Sequence, residues 1–170
     1  TNGRSCAKFS GDNPNTTPDA HNLYMYLDEF VRFGCSYASI ETSSEAFFRG
    51  RLQAMQFDIS AYTNVTSEHL NIHGSFENYV ECKCDLFRQI KEDGYAILNV
   101  DDKNYEKVRS CCNCNILTYG TKDNSNLQIV EFTEEVDYTL IKVRHLEKDY
   151  SIKSPLLGEF NVYNLCASIL

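Results

Sequence analysis

Residues able to do chemistry gather in the stretch Thr63 to Phe87, TNVTSEHLNIHGSFENYVECKCDLF. His69 and His73 stand one helical turn apart. A second helix, opening at Gly74-Ser75, carries Lys83 on a stripe made by Phe76, Tyr79, Val80, Leu86, Phe87 and Ile90. A lysine on a covered face has three outcomes: its ammonium reaches the rim, it pairs with a carboxylate, or desolvation strips its proton and makes the amine reactive. The histidine pair has zinc spacing, but no HExxH pattern and no obvious third ligand accompany it. Combined with Glu41, His69 offers one hard and one borderline donor, a set suited to a divalent cation that also holds phosphates. Taken singly, a glutamate at a strand end is usually a solvated turn or helix-start residue.

The elements that must position these groups read as an α/β chain. Thr17 as N-cap and Pro18 at the first helical position open a helix over 18–33, with Leu23, Tyr24, Tyr26, Leu27, Phe30 and Val31 at helical spacing. Tyr37 to Ile40, Phe57 to Tyr62, Tyr95 to Val100 and Ile116 to Tyr119 read as short strands, the first followed by a helix through Phe48 and the third by a helix over 102–109. Strands alternating with helices imply a mostly parallel sheet flanked by helices. From 127 to 152 the pattern changes to period two around charged turns, an antiparallel extension, and a loop then leads into a helix from about Val162. Residues 1–17, polar and rich in Gly and Asn, read as loop. In open parallel sheets the ligand crevice lies beyond the carboxyl ends of the strands. Glu41 with Ser43 and Ser44, Asn64 with His69, and Asn99 with Asp101 and Asp102 all follow expected strands and would meet at that edge.

At 170 residues with 42% hydrophobic and 24% charged residues, the chain has the size and composition of one globular domain. The division expected is an α/β part over 1–126, antiparallel strands over 127–157 and the final loop and helix over 158–170. A formal charge of -8 disfavours nucleic acid and anionic membrane surfaces as partners. The longest apolar runs are strand length, which argues against a membrane span, and nothing at the start reads as a secretory signal. A cytoplasmic protein whose eight cysteines are reduced is therefore expected. Cys111-x-x-Cys114 supplies only half of a zinc knuckle, and it precedes a strand where a redox motif would open a helix. No GxxxxGK[ST] phosphate loop occurs.

Five separated motifs in a fixed order carry a family resemblance: NTTPDA (Asn15 to Ala20), IETSSEAFFRGR (Ile40 to Arg51), FDISAYTNVTSEHLNIHGSFENYVECKCDLF, AILNVDD and GEFNVYN. Together they resemble the central ATP-binding domain of the Mur ligases, most closely the MurE type, with its P-loop-NTPase-like fold. The resemblance implies an ATP-dependent ligase of peptidoglycan precursor synthesis that joins an amino acid to UDP-MurNAc-dipeptide through an acyl phosphate, with ATP and Mg2+ required. By the same resemblance Asn15, Thr16, Thr17, Ser43, Arg49 and Arg51 contact the UDP-MurNAc-dipeptide, Glu41 and His69 hold magnesium, and Asn161 lies near adenine. Lys83 matches the lysine that the family carbamylates, a change that needs the neutral amine a desolvating environment favours.

The sequence departs from the family pattern in places. Arg49 stands where the family usually has Gln, Glu45 where a histidine is common, and Glu68 where an aspartate is common. Thr1-Asn2-Gly3 echoes a GTNGKT phosphate loop but continues with Arg4, so the chain is expected to be a piece of the central domain that lacks this loop and is inactive by itself. A non-catalytic Mur-like binding module is the second expectation. Another ligase of the superfamily, of the folylpolyglutamate or cyanophycin synthetase type, is the third. Oligomeric state is left open.

Overall fold

The computed structural model describes residues 16–64 and 73–170 in full and, among the first fifteen, the backbone of two strands. Two compact units result: Thr1–Met55 with His69–Leu86, and Gln56–Glu68 with Phe87–Leu170.

In the first unit, β1 (Gly3–Cys6) pairs antiparallel with β2 (Phe9–Asp12), where the sequence suggests loop. A backbone ladder forms between polar strands as readily as between apolar ones, and side-chain type does not announce it. Helix α1 (Ala20–Arg32) starts two residues later than its pattern implies. Its cap is Asp19, which accepts the Asn22 N–H at 3.0 Å, while the Thr17 hydroxyl is taken by partners far along the chain. Tyr37 to Ile40 is not a strand. Tyr37 is 95% exposed, and no described strand pairs with the run, so neither of its faces is covered. Helix α2 (Ser44–Phe48) is capped by Ser43, as the Thr-Ser-Ser-Glu sequence suggests. Helix α3 (Phe76–Arg88) begins where Ser75 Oγ accepts the Asn78 N–H at 3.1 Å, and its last two residues belong to the second unit.

The second unit is built on a six-stranded sheet in sequential order: β3 (Phe57–Tyr62), β4 (Ile90–Asn99), β5 (Asn115–Gly120), β6 (Leu127–Glu134), β7 (Thr139–His145) and β8 (Lys148–Ser154). β3 to β6 run parallel and β6 to β8 antiparallel, the parallel sheet with an antiparallel extension that the sequence implies. β4 begins at Ile90, five residues before the expected strand, so Ile90 leaves the helical stripe assigned to it. Asp93-Gly94 is therefore no turn. A Cβ on Gly94 would lie 2.5 Å from Asp58 O of β3, and the β3–β4 register shifts at this point, so the glycine marks an irregularity in the ladder.

Helix α4 is a short Tyr105–Arg109. Asp102 Oδ1 accepts the Asn104 N–H at 2.7 Å, turning the chain before the helix where the sequence has the helix already running. Helix α5 (Glu159–Ile169) starts earlier than the expected Val162. Its Val162, Cys166 and Ala167 join Ile97, Tyr119, Leu127, Ile129, Ile141 and Val143 in one core cluster. No helix among the described residues is long and apolar enough to cross a membrane.

Leu146 and Glu147, the two residues joining β7 to β8, both have positive φ, 50° and 63°. Side chains pay for that backbone where Asn-Gly would not. Replacing Glu147 by Gly should raise unfolding stability by roughly 1 kcal/mol, read from urea titration, without changing the m value.

Candidate functional site

The first unit assembles a polar knot around Thr17, which is 1% exposed. Thr17 Oγ1 donates to Glu41 O at 2.8 Å and accepts the Ser43 N–H at 2.9 Å. Arg51 Nη1 donates to Thr17 O at 3.0 Å. One buried hydroxyl thereby fixes the segment leading into α1 against the segment leading into α2. Glu45, in the first turn of α2, receives Arg49 Nε at 2.6 Å, with Arg51 Nη2 at 3.9 Å from the same oxygen. Two guanidinium groups thus share one carboxylate beside the knot, and Arg51 also lies within electrostatic reach of Asp19. In a chain of charge -8 this is a place where an anion could be received.

Four of the expected substrate contacts, Thr17, Ser43, Arg49 and Arg51, are joined in this arrangement. Thr16 is exposed beside them, and the backbone of Glu41 is tied in through Thr17 while its side chain is solvent-facing. Asn15 and His69 lie outside the described residues. His73 is 4% exposed, with Nε2 at 3.0 Å from the buried Ser44 Oγ and its ring between Phe48 and Tyr79, at 5.5 and 5.2 Å between centroids. That is the environment of a packing residue.

Lys83 is half-buried, not enclosed. Tyr79, Val80, Cys84 and Phe87 form the buried line of α3, and Phe76 and Leu86 are only half-covered. Lys83 lies on the flank of this line, its Nζ 5.3 Å from the centre of the Tyr79 ring. The half-buried side chain thus brings its nitrogen to the face of an aromatic ring.

The second unit carries a separate polar group at the carboxyl ends of its parallel strands. Asn99 follows the buried run Ala96 to Leu98 and is buried with it. Asp102 Oδ1 accepts Tyr62 Oη at 2.7 Å, and Lys122 Nζ donates to Val100 O at 2.6 Å. Tyr119 Oη donates to Tyr62 O at 2.9 Å. Asn161, in the first turn of α5, donates Nδ2 to Leu157 O at 2.8 Å.

Burial raises the Tyr119 phenol, and burial with the adjacent Asp101 carboxylate raises that of Tyr163. Burial pushes the Cys166 thiol up to about 11. Burial, with Cys114 and Cys111 alongside, pushes Cys112 up to about 12. The seven described cysteines are free thiols.

The Glu45–Arg49–Arg51 cluster was visible in sequence only as Glu and Arg four residues apart on a helix. The tie from Thr17 to Glu41 and Ser43 spans 24 and 26 residues and leaves no local pattern. Among the described residues no set of three His, Cys, Asp or Glu side chains is grouped to hold a metal ion.

Comparison with known proteins gives the family. The family described as the Mur ligase middle domain matches residues 1–170. The chain belongs to that family. It is 36% identical over 159 residues to the UDP-N-acetylmuramoyl-L-alanyl-D-glutamate–2,6-diaminopimelate ligase of Chlamydia felis, covering 91% of this chain and 32% of that one. It is 30% identical over 174 residues to the corresponding L-lysine ligase of Staphylococcus aureus strain MW2, covering all of this chain and 35% of that one. A solved 2,6-diaminopimelate ligase superimposes with a TM-score of 0.82 at 30% identity, over 97% of this chain and 36% of its own. The MurF ligase of Thermotoga maritima, solved with ADP, shares the fold at a TM-score of 0.62 and 19% identity, over 79% of this chain and 33% of its own. The chain spans about a third of the length of these relatives. The Mur domain therefore contains both polar groups described above.

Replacing Thr17 with Val keeps the shape of the side chain and removes the hydroxyl's bonds to Glu41 O and Ser43 N–H, leaving the Arg51 bond to the Thr17 carbonyl. It should cost roughly 2 kcal/mol in denaturant unfolding, whereas Thr17→Ser should restore most of it. Cys112, Cys166, Tyr119 and Tyr163 hold their protons more tightly folded than unfolded. Their contribution is complete below the ordinary values of 9.0 and 10.0, and it is lost as pH rises toward about 11 and 12 for the two thiols. The melting temperature should fall by roughly 5 °C between pH 9 and 11, and less in Cys112→Ser.

Proposed function

We propose that this chain is a piece of the ATP-binding central domain, without a GxxxxGK[ST] phosphate loop of its own, of an ATP-dependent amide ligase of peptidoglycan precursor synthesis that acts on UDP-MurNAc-dipeptide in the cytoplasm. The observation that carries the reading is the Thr17 knot, which unites residues from two of the family motifs and sets Arg49 and Arg51 beside them. The two curated relatives are named for different amino acids, yet both match this stretch. The shared third is thus suited to the common step, activation of a carboxylate.

In that reaction the terminal carboxylate of the nucleotide-linked dipeptide attacks the γ-phosphoryl group of ATP, releasing ADP and forming an acyl phosphate. The amine of the incoming amino acid attacks the acyl carbon, loses a proton, and expels inorganic phosphate. Asn15, Thr16, Thr17, Ser43, Arg49 and Arg51 form the site for the anionic substrate, the buried Thr17 by fixing Ser43 and Arg51. Arg49 is anchored through Nε by Glu45, which orients its two terminal nitrogens, and a planar fork so presented suits a carboxylate or phosphate. Asn161 contacts the base.

Glu41 and His69 are the residues that would hold magnesium. The donor chemistry fits: Glu41 presents a solvent-facing carboxylate on backbone fixed by Thr17, and oxygen is the ligand magnesium prefers. Bound there, the ion would screen the repulsion between carboxylate and triphosphate. Lys83 would carry a carbamate, formed when its neutral amine adds carbon dioxide and releases a proton, which turns a cation at the Tyr79 ring into a fixed anion.

In the complete gene product, Lys83→Ala should lower ATP-dependent ligation more than a hundredfold, with no recovery on adding bicarbonate. Activity near wild type would remove the carbamate from the mechanism. Arg49→Ala should chiefly raise KM for the UDP-linked substrate in the same assay.

A further inference from the structure

A continuous polar chain crosses the carboxyl ends of β3, β4 and β5 and ends on α5, and its members are outside the substrate contacts assigned above. Asn99, 5% exposed, donates Nδ2 to Thr63 O at 2.7 Å and accepts the Asp101 N–H on Oδ1 at 3.0 Å. Asp101 in turn accepts three bonds. Thr121 N at 2.6 Å and Tyr163 Oη at 3.0 Å meet Oδ2, and Thr121 Oγ1 at 3.0 Å meets Oδ1. Gly120, at φ +145°, makes room: a Cβ there would stand 2.7 Å from Asp101 Oδ2. A second route joins the same elements, because the Tyr163 ring lies 6.3 Å from that of Tyr119, whose hydroxyl is bound to Tyr62 O.

Apolar packing already holds α5 to the sheet through Val162, Cys166 and Ala167. Such packing is non-directional and leaves the rotation of the first turn loosely set. A hydrogen bond from a ring two residues after Asn161 is directional. Since a helix turns about 100° per residue, fixing Tyr163 on Asp101 fixes the direction in which Asn161 leaves the helix. The β5–β6 ladder beside this point has only two paired positions, so the sheet alone provides little bracing there.

We propose that Asp101 and Tyr163 are positioning residues for recognition of the nucleotide base, setting the aim of Asn161 through the rotation of α5. Asn99 links that setting to the segment after β3, the segment that leads in sequence to His69. The inference rests on Asn161 being the base contact, as given under the proposed function.

The test compares binding of MgATP with binding of magnesium tripolyphosphate, which has the phosphates and no base, by titration calorimetry on the complete gene product. Tyr163→Phe removes only the hydroxyl. It should weaken MgATP about tenfold and leave tripolyphosphate unchanged. Thr121→Val removes a donor from the same carboxylate without touching α5 and should change neither. In an Asn161→Ala background, Tyr163→Phe should have no further effect on MgATP, a result that holds even if the single variant is less stable. An unchanged ratio of the two affinities in Tyr163→Phe, or an effect that persists without Asn161, overturns the positioning role. A wild-type protein that binds tripolyphosphate as well as MgATP overturns the reading of Asn161 itself, and this one with it.

Discussion

The Thr17 hydroxyl is the constraint on which the first unit depends. It sits where water cannot reach, donating to one backbone carbonyl and accepting from one backbone N–H, both more than twenty residues away. A buried backbone group without a partner costs as much as a lost hydrogen bond, so the Glu41–Ser43 segment cannot drift from the approach to α1 without exposing that cost. Everything around the knot inherits its position. Ser43 is held where it caps α2, α2 carries Glu45, and Glu45 orients Arg49 while Arg51 reaches back to the Thr17 carbonyl.

The second unit is ordered by a change of strand direction. Parallel strands β3 to β5, covered on both faces around β4, deliver polar residues to their carboxyl ends. Helix α5 packs on β4, β5 and β6, and the antiparallel β6 and β7 extend the same core with Leu127, Ile129, Ile141 and Val143. Apolar contacts fix the layer spacing, and the carboxylates of Asp101 and Asp102, each bound to a tyrosine hydroxyl, fix the strand ends.

What could be read in the sequence follows from where burial leaves a pattern. β6 and β7 were legible because alternate burial selects apolar residues such as Leu127, Ile129, Ile141 and Val143, whereas β3 showed through its composition alone, with Ile59 60% exposed and Ser60 buried. Tyr37 to Ile40 has the same composition but pairs with no described strand, and composition cannot show that. The hairpin of β1 and β2 is polar and so carried no signal. Helix α1 starts at Asp19 because the hydroxyl of Thr17 has distant partners, which a local capping rule does not see. On α3 the apolar spacing put Lys83 inside the stripe. Cys84, small and fully buried, occupies the centre of that line, and the lysine takes its flank. The family was legible in the order of five motifs, whereas the Glu45–Arg49 pair became meaningful only once Arg51 was seen to share it.

The proposed reaction activates its substrate by phosphorylating a carboxylate, and the origin of one oxygen atom reports that step directly. The complete gene product would be given MgATP, an amino acid and UDP-MurNAc-dipeptide labelled with 18O in both oxygens of its terminal carboxylate. Inorganic phosphate released during amide formation would then be analysed by mass spectrometry. One 18O per phosphate is predicted, transferred when the acyl phosphate breaks at the acyl carbon. Unlabelled phosphate accompanying product, or no ATP-dependent product at all, would contradict the assignment.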